Sequence, residues 1–173
     1  MAASPPDSLP ISPAPGAAGA QRIAQVTLDE ATILWRNADV EQERRVAIYD
    51  LIEENSFAPE GGHEGPFALR ISLVDQKLAF EVRRQAGGEA LTHLLSLSPF
   101  RKILKDYFFI CESYRSAIRT SSPSQIEAID MGRRGLHDEG ADVLVERLKG
   151  KIALDKQTAR RLFTLIAALS WKG

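Results

Sequence analysis

Between Phe67 and Leu97 apolar and polar positions alternate in three successive stretches. In FALRISLV the residues Phe67, Leu69, Ile71 and Leu73 share one side of a two-residue period, with Ala68, Arg70, Ser72 and Val74 on the other. KLAFEVRR groups Leu78, Phe80 and Val82, and ALTHLLSL groups Leu91, His93, Leu95 and Leu97. Successive side chains of a strand point to opposite faces, so each stretch predicts a half-buried strand. Asp75-Gln76 and Gly87-Gly88 separate them, short connections suited to tight hairpin turns, and a three-stranded antiparallel meander follows. RIAQVTL, from Arg22, alternates less regularly and is read as a first strand.

Elsewhere the apolar recurrence lengthens to three and four positions, the period of a helix with one buried stripe. Asp39 caps a helix predicted over Val40 to Asn55, with Ala47, Ile48, Leu51 and Ile52 inward. APEGGHEGP after it is a loop by its glycines and prolines. From Pro99 to Arg119 the stripe is Phe100, Leu104, Tyr107, Cys111, Tyr114 and Ile118, joined by Ile103 and Phe108, and this is read as the central helix. Ser122, Pro123 and Gln125 form a capping box that starts another. In IDMGRRGLHDEGADVL, residues 129 to 144, three glycines predict a joint: Gly132 ends one helix, Arg133 and Arg134 favour its negative end, and Asp138 caps the next. ADVLVERLKG then reads as helix up to Gly150, and DKQTARRLFTLIAALSW as a last helix capped by Asp155, with Leu162, Phe163, Ile166 and Leu169 buried. The predicted fold class is α+β: a three- or four-stranded antiparallel sheet, a meander, covered by four or five helices.

At 173 residues the chain is one domain's worth, and 44% apolar with 26% charged residues is the usage of a soluble globular protein. Residues 1–21, rich in Pro, Ala, Ser and Gly, have too little apolar content to offset the entropy of ordering. They are read as a disordered tail, neither signal nor anchor, which leaves 22–173 as a single α+β domain. No apolar run is long enough to span a membrane. The 22 Lys and Arg against 23 Asp and Glu create no chain-wide attraction to nucleic acid. The lone Cys111 has no disulfide or zinc-knuckle partner, which fits the cytoplasm.

Chemistry concentrates in the 129–144 segment. GRRG offers forked arginine donors between glycines, a pattern that can cradle phosphate or carboxylate, so Arg133, Arg134 and His137 form a candidate anion site. It is not a phosphate-loop motif, and the helix joint accounts for most of the same residues. His93 and Glu139 are candidate pocket-lining groups, though His93 on an apolar strand face also suits a hydrogen-bonded core position. Cys111 lies on a packing stripe, where a free cysteine acts as a small hydrophobe rather than a nucleophile. Consecutive His137, Asp138 and Glu139 diverge around a helix by about 100° each, so no metal site is expected, and no cofactor motif is present. The pairs Arg44-Arg45, Arg83-Arg84 and Arg160-Arg161 read as solvated or salt-bridged. An RNA-binding face built from them with RKILK and KGK would lack the usual aromatic motif.

LDEATI, AIYDLIEENSFAPEG, HLLSLSPFRKILKDYFFICESY, PSQIEAIDMGRRGLHDEGADVL and TARRLFTLI together resemble the uncharacterised alphaproteobacterial family UPF0262 over nearly the whole chain after the tail. The resemblance implies a bacterial cytosolic protein and transfers no functional residue. Three expectations follow: a non-enzymatic binding or regulatory module, with 129–144 as its contact surface for a protein partner; an enzyme on a phosphorylated or carboxylate substrate; or an RNA- or ribosome-associated protein. The enzyme would clamp its substrate with Arg133 and Arg134 and use His137 with Glu139 as acid-base groups, which requires a concave pocket.

Overall fold

The computed structural model describes residues 21–29 and 38–170, so the segment read as a tail lies outside it apart from Gln21, as does Trp171. The described elements run β1 (Ile23–Leu28), α1 (Ala38–Glu53), β2 (Phe57–Pro59), β3 (Phe67–Val74), β4 (Lys77–Arg84), β5 (Leu91–Ser96), a single 3-10 turn (Ser98–Phe100), α2 (Arg101–Thr120), α3 (Pro123–Arg147), β6 (Ile152–Leu154) and α4 (Lys156–Ser170). The fold is α+β, a four-stranded sheet with four helices among the described residues.

The meander forms as the alternation predicts, and it brings Ile71 opposite Phe80 and Phe80 opposite His93. Phe67, Leu69, Ile71, Leu78, Phe80 and Val82 are all buried. Asp75 and Gln76 adopt φ of 51° and 64°, the left-handed backbone that a two-residue hairpin of matching twist requires. Gln76 is held from both ends, its carbonyl accepting from Leu97 N at 3.0 Å and its Oε1 from Arg101 Nη2 at 2.9 Å.

β1 departs from the antiparallel expectation. It joins the sheet edge parallel to β3, giving the order β1-β3-β4-β5. Parallel neighbours need a crossover rather than a hairpin, and the chain between them carries α1. Asn55, just beyond α1, pins the arrangement: its Oδ1 accepts from Ile23 N at 2.6 Å, and its Nδ2 donates to Ile23 O at 2.9 Å and Leu51 O at 2.7 Å. β2 and β6 form a separate antiparallel ribbon.

Two helix readings are corrected. The central helix is α4, not α2: every residue from Leu162 to Ser170 is buried, because α4 is free of charged residues beyond Arg161. α2 keeps one buried stripe, including Ile103, Leu104, Tyr107 and Cys111, and leaves Phe109 74% exposed. Nor does the joint at 132 to 138 form, since α3 runs unbroken through it from the Ser122–Gln125 capping box. Its glycines serve packing. A Cβ on Gly132 would come within 2.7 Å of Ile110 Cδ1 on α2, and one on Gly140 would run into the Phe163 ring on α4. Asp130 braces the helix where the break was expected, pairing with Arg133 at 2.6 Å and Arg134 at 3.0 Å, three and four residues on.

Candidate functional site

An unbroken α3 aligns Arg133, Arg134 and His137 along the helix as i, i+1 and i+4, so all three reach one side of it. That side opens on a solvent-accessible cleft of about 410 Å³. α1 contributes Gln42, Glu43, Val46, Ala47 and Asp50, α2 contributes Tyr107, and α4 contributes Gln157, Arg160, Arg161 and Thr164. On α4 these four residues fall at i, i+3, i+4 and i+7, a polar stripe on a helix otherwise committed to the core.

The arginines are held in place by groups on their own and neighbouring helices. Arg133 pairs with Asp130 and lies 4.5 Å from the Tyr114 ring centroid, a cation–π contact that orients its guanidinium. The same hydrogen bond from Arg133 is the main reason the Asp130 carboxyl sits below its usual range. Arg134 shares Asp130 while its side chain stays 71% exposed. Arg160 pairs with Asp138 of α3, and Arg161 donates to the Glu54 carbonyl at 3.2 Å, at the end of α1. A guanidinium carries five N–H donors, so each pairing leaves donors for a ligand.

His137 forms part of the cleft floor. Its ring stacks on Tyr107 with centroids 5.6 Å apart and meets the Phe163 ring edge-on, and its Nε2 lies 2.5 Å from Thr164 Oγ1. Burial, aided by the charges of Arg160 and Arg133, holds the imidazole down to about 4. His137 is therefore neutral at physiological pH, a polar lining group rather than a third cation. Burial likewise raises the Glu43 carboxyl, opposed by Arg115, whose Nη2 is 3.9 Å away. Burial also raises the Tyr107 hydroxyl, and it pushes the Cys111 thiol up to about 11, a packed group without thiolate character.

The other sequence candidates lie apart. Glu139 is exposed and does not line the cleft. His93 is half-buried on β5, lowered by burial and by Lys151, with its Nε2 enclosed and unbonded among the described residues. Asp138 turns to Arg160 rather than toward a metal position, and no cluster of three metal-ligating side chains occurs among the described residues. Sequence reading missed the α1 and α4 walls. Arg160-Arg161 was visible as a pair, but its signal was the four-residue polar stripe; Glu43 and Asp50 carried none that set them apart from other helix-surface acids.

Fold and cleft together define a small α+β protein with an arginine-lined cleft among its helices. The chain belongs to the uncharacterised protein family UPF0262, whose pattern matches residues 20–172. Similar proteins described only as UPF0262 proteins occur in Rhodopseudomonas palustris strain BisB5, 60% identical over 152 residues covering 88% of this chain and 93% of the relative. One from Nitrobacter winogradskyi is also 60% identical, covering 88% and 91% respectively. Another from Bradyrhizobium sp. strain BTAi1 is 58% identical over 160 residues, covering 92% of this chain and 95% of the relative. No solved structure matches. Among the described residues no helix is long and apolar enough to cross a membrane.

Proposed function

We propose that this chain is a non-enzymatic cytoplasmic binding module whose cleft takes a small molecule bearing a phosphate or carboxylate. One observation carries the reading: four arginines from two helices converge on the cleft, three of them pre-oriented by Asp130 and Asp138. Charge-assisted, forked hydrogen bonds to oxyanions are among the strongest polar contacts available, and braced donors lose less entropy on binding. Binding is favoured over catalysis because the one imidazole in the cleft is neutral and committed to Thr164, and the only thiol is protonated and packed. The arginines sit in a concavity rather than on a continuous basic face, which suits a small anion better than an RNA backbone.

Calorimetric titration with ethyl phosphate and with butyrate at low salt tests this. Saturable binding of at least one is expected. Arg134→Ala with Arg161→Ala should weaken it roughly tenfold or more, as two charged donors are lost. Failure of these probes and of their amine-bearing counterparts alike to bind the wild type would overturn the reading, and hydrolysis of ethyl phosphate would overturn its non-enzymatic part.

A further inference from the structure

The charges of the cleft are segregated by element. Every arginine in its wall comes from α3 or α4, whereas both acids, Glu43 and Asp50, come from α1. They are seven residues apart, about 10 Å along a helix, with Val46 and Ala47 between them on the same stripe. Val46 is 47% exposed, an apolar surface facing the cleft rather than the core.

The acids are not simply counter-ions for the arginines opposite. Asp130 and Asp138 already occupy Arg133, Arg134 and Arg160, and Arg161 is bound to a backbone carbonyl. Glu43 pairs at 3.9 Å with Arg115, which does not line the cleft, and among the cleft arginines only Arg133 adds a secondary attraction to it. Asp50 forms no ion pair among the described residues. A half-buried carboxylate without a cation in a cleft built for anions would repel an anionic ligand unless that ligand brought a positive charge of its own.

Resting on the anion-binding reading above, we infer that the ligand is zwitterionic: a phosphate or carboxylate held by the α3 and α4 arginines, a short alkyl stem over Val46, and an ammonium or guanidinium group facing Glu43 and Asp50. Opposed walls of this kind fix orientation, and they select against the plain anion by leaving Asp50 without a cation.

Matched probes isolate the cationic end: phosphoethanolamine against ethyl phosphate, and gamma-aminobutyrate against butyrate, titrated calorimetrically into the full chain at low salt. In the wild type the amine-bearing member of at least one pair should bind roughly five- to tenfold tighter, the scale of a partly shielded ion pair. Glu43→Gln with Asp50→Asn should bring that pair to parity. Equal affinities within both pairs in the wild type would overturn the zwitterion inference and leave the anion site standing. Failure of all four probes would overturn the anion site itself. The wild-type comparison decides even if the double variant does not fold, and a preserved circular-dichroism melt would show that its parity is a binding effect.

Discussion

His137 shows how one residue's surroundings convert a candidate ligand into a structural group. Placed between Tyr107, Phe163 and Thr164, its imidazole resists protonation down to about pH 4, whereas an unfolded chain takes up that proton near pH 6.5. Between those values the unfolded state binds more protons, so stability falls as pH falls through the window and is unaffected by this group above it. The full loss is on the order of 3 kcal/mol once both values are passed. Urea denaturation at pH 7 and pH 4.5 should therefore show a larger acid-induced loss for the wild type than for His137→Gln. Equal losses would mean that the imidazole is not shielded as the stacking implies.

At the scale of elements, α3 is instructive because its glycines look like breaks and act as contacts. Gly140→Ala would drive a methyl into the Phe163 ring and should cost about 1–3 kcal/mol, the usual penalty of overpacking a well-filled site. Gly135→Ala, where nothing stands within 4 Å, should instead leave the helix unharmed and gain up to about 1 kcal/mol from helix propensity. Thermal melts of the two variants check the contrast, and a similar loss in both would revive a non-helical joint at this segment. The capping box was legible because it is local: Ser122 and Gln125 satisfy each other's backbone N–H groups within four consecutive residues, with Pro123 at the first helical position. The continuity of α3 was not, since whether a mid-helix glycine is a stop depends on which neighbour stands over it.

For the whole molecule, the parallel placement of β1 rests on few residues. Asn55 satisfies both backbone groups of Ile23 while tying them to the end of α1. Asn55→Leu would leave a buried donor and acceptor unmet, at about 1–3 kcal/mol each. Hydrogen exchange should accelerate in β1 and the last turn of α1 and remain slow in β4. Uniform acceleration would instead indicate that the sheet and helices unfold as one unit. Another long-range tie, Ser56 N donating to the wholly buried Thr158 Oγ1 at 2.9 Å, joins the α1–β2 connection to α4. That tie helps set the α1 and α4 walls of the cleft side by side.

Sequence alone determined what periodicity and local chemistry control: the β3-β4-β5 meander, the helices around it, the Ser122 and Asp155 caps and the α+β class. The β2–β6 ribbon escaped it, and Asp39, Gly132 and Asp138, read as caps, fall inside helices. The features it determined depend on interactions within a few residues, or on a strand's obligation to turn alternate side chains inward. It also picked out Arg133, Arg134 and His137, because two arginines beside a histidine exceed the needs of a helix end. Only the tertiary structure decided that α4 is the central helix, that β1 runs parallel, and that Arg160, Arg161, Glu43 and Asp50 share a cleft with those residues. A cleft is a relation between faces of helices far apart in the chain, and packing, not local pattern, determines which faces meet.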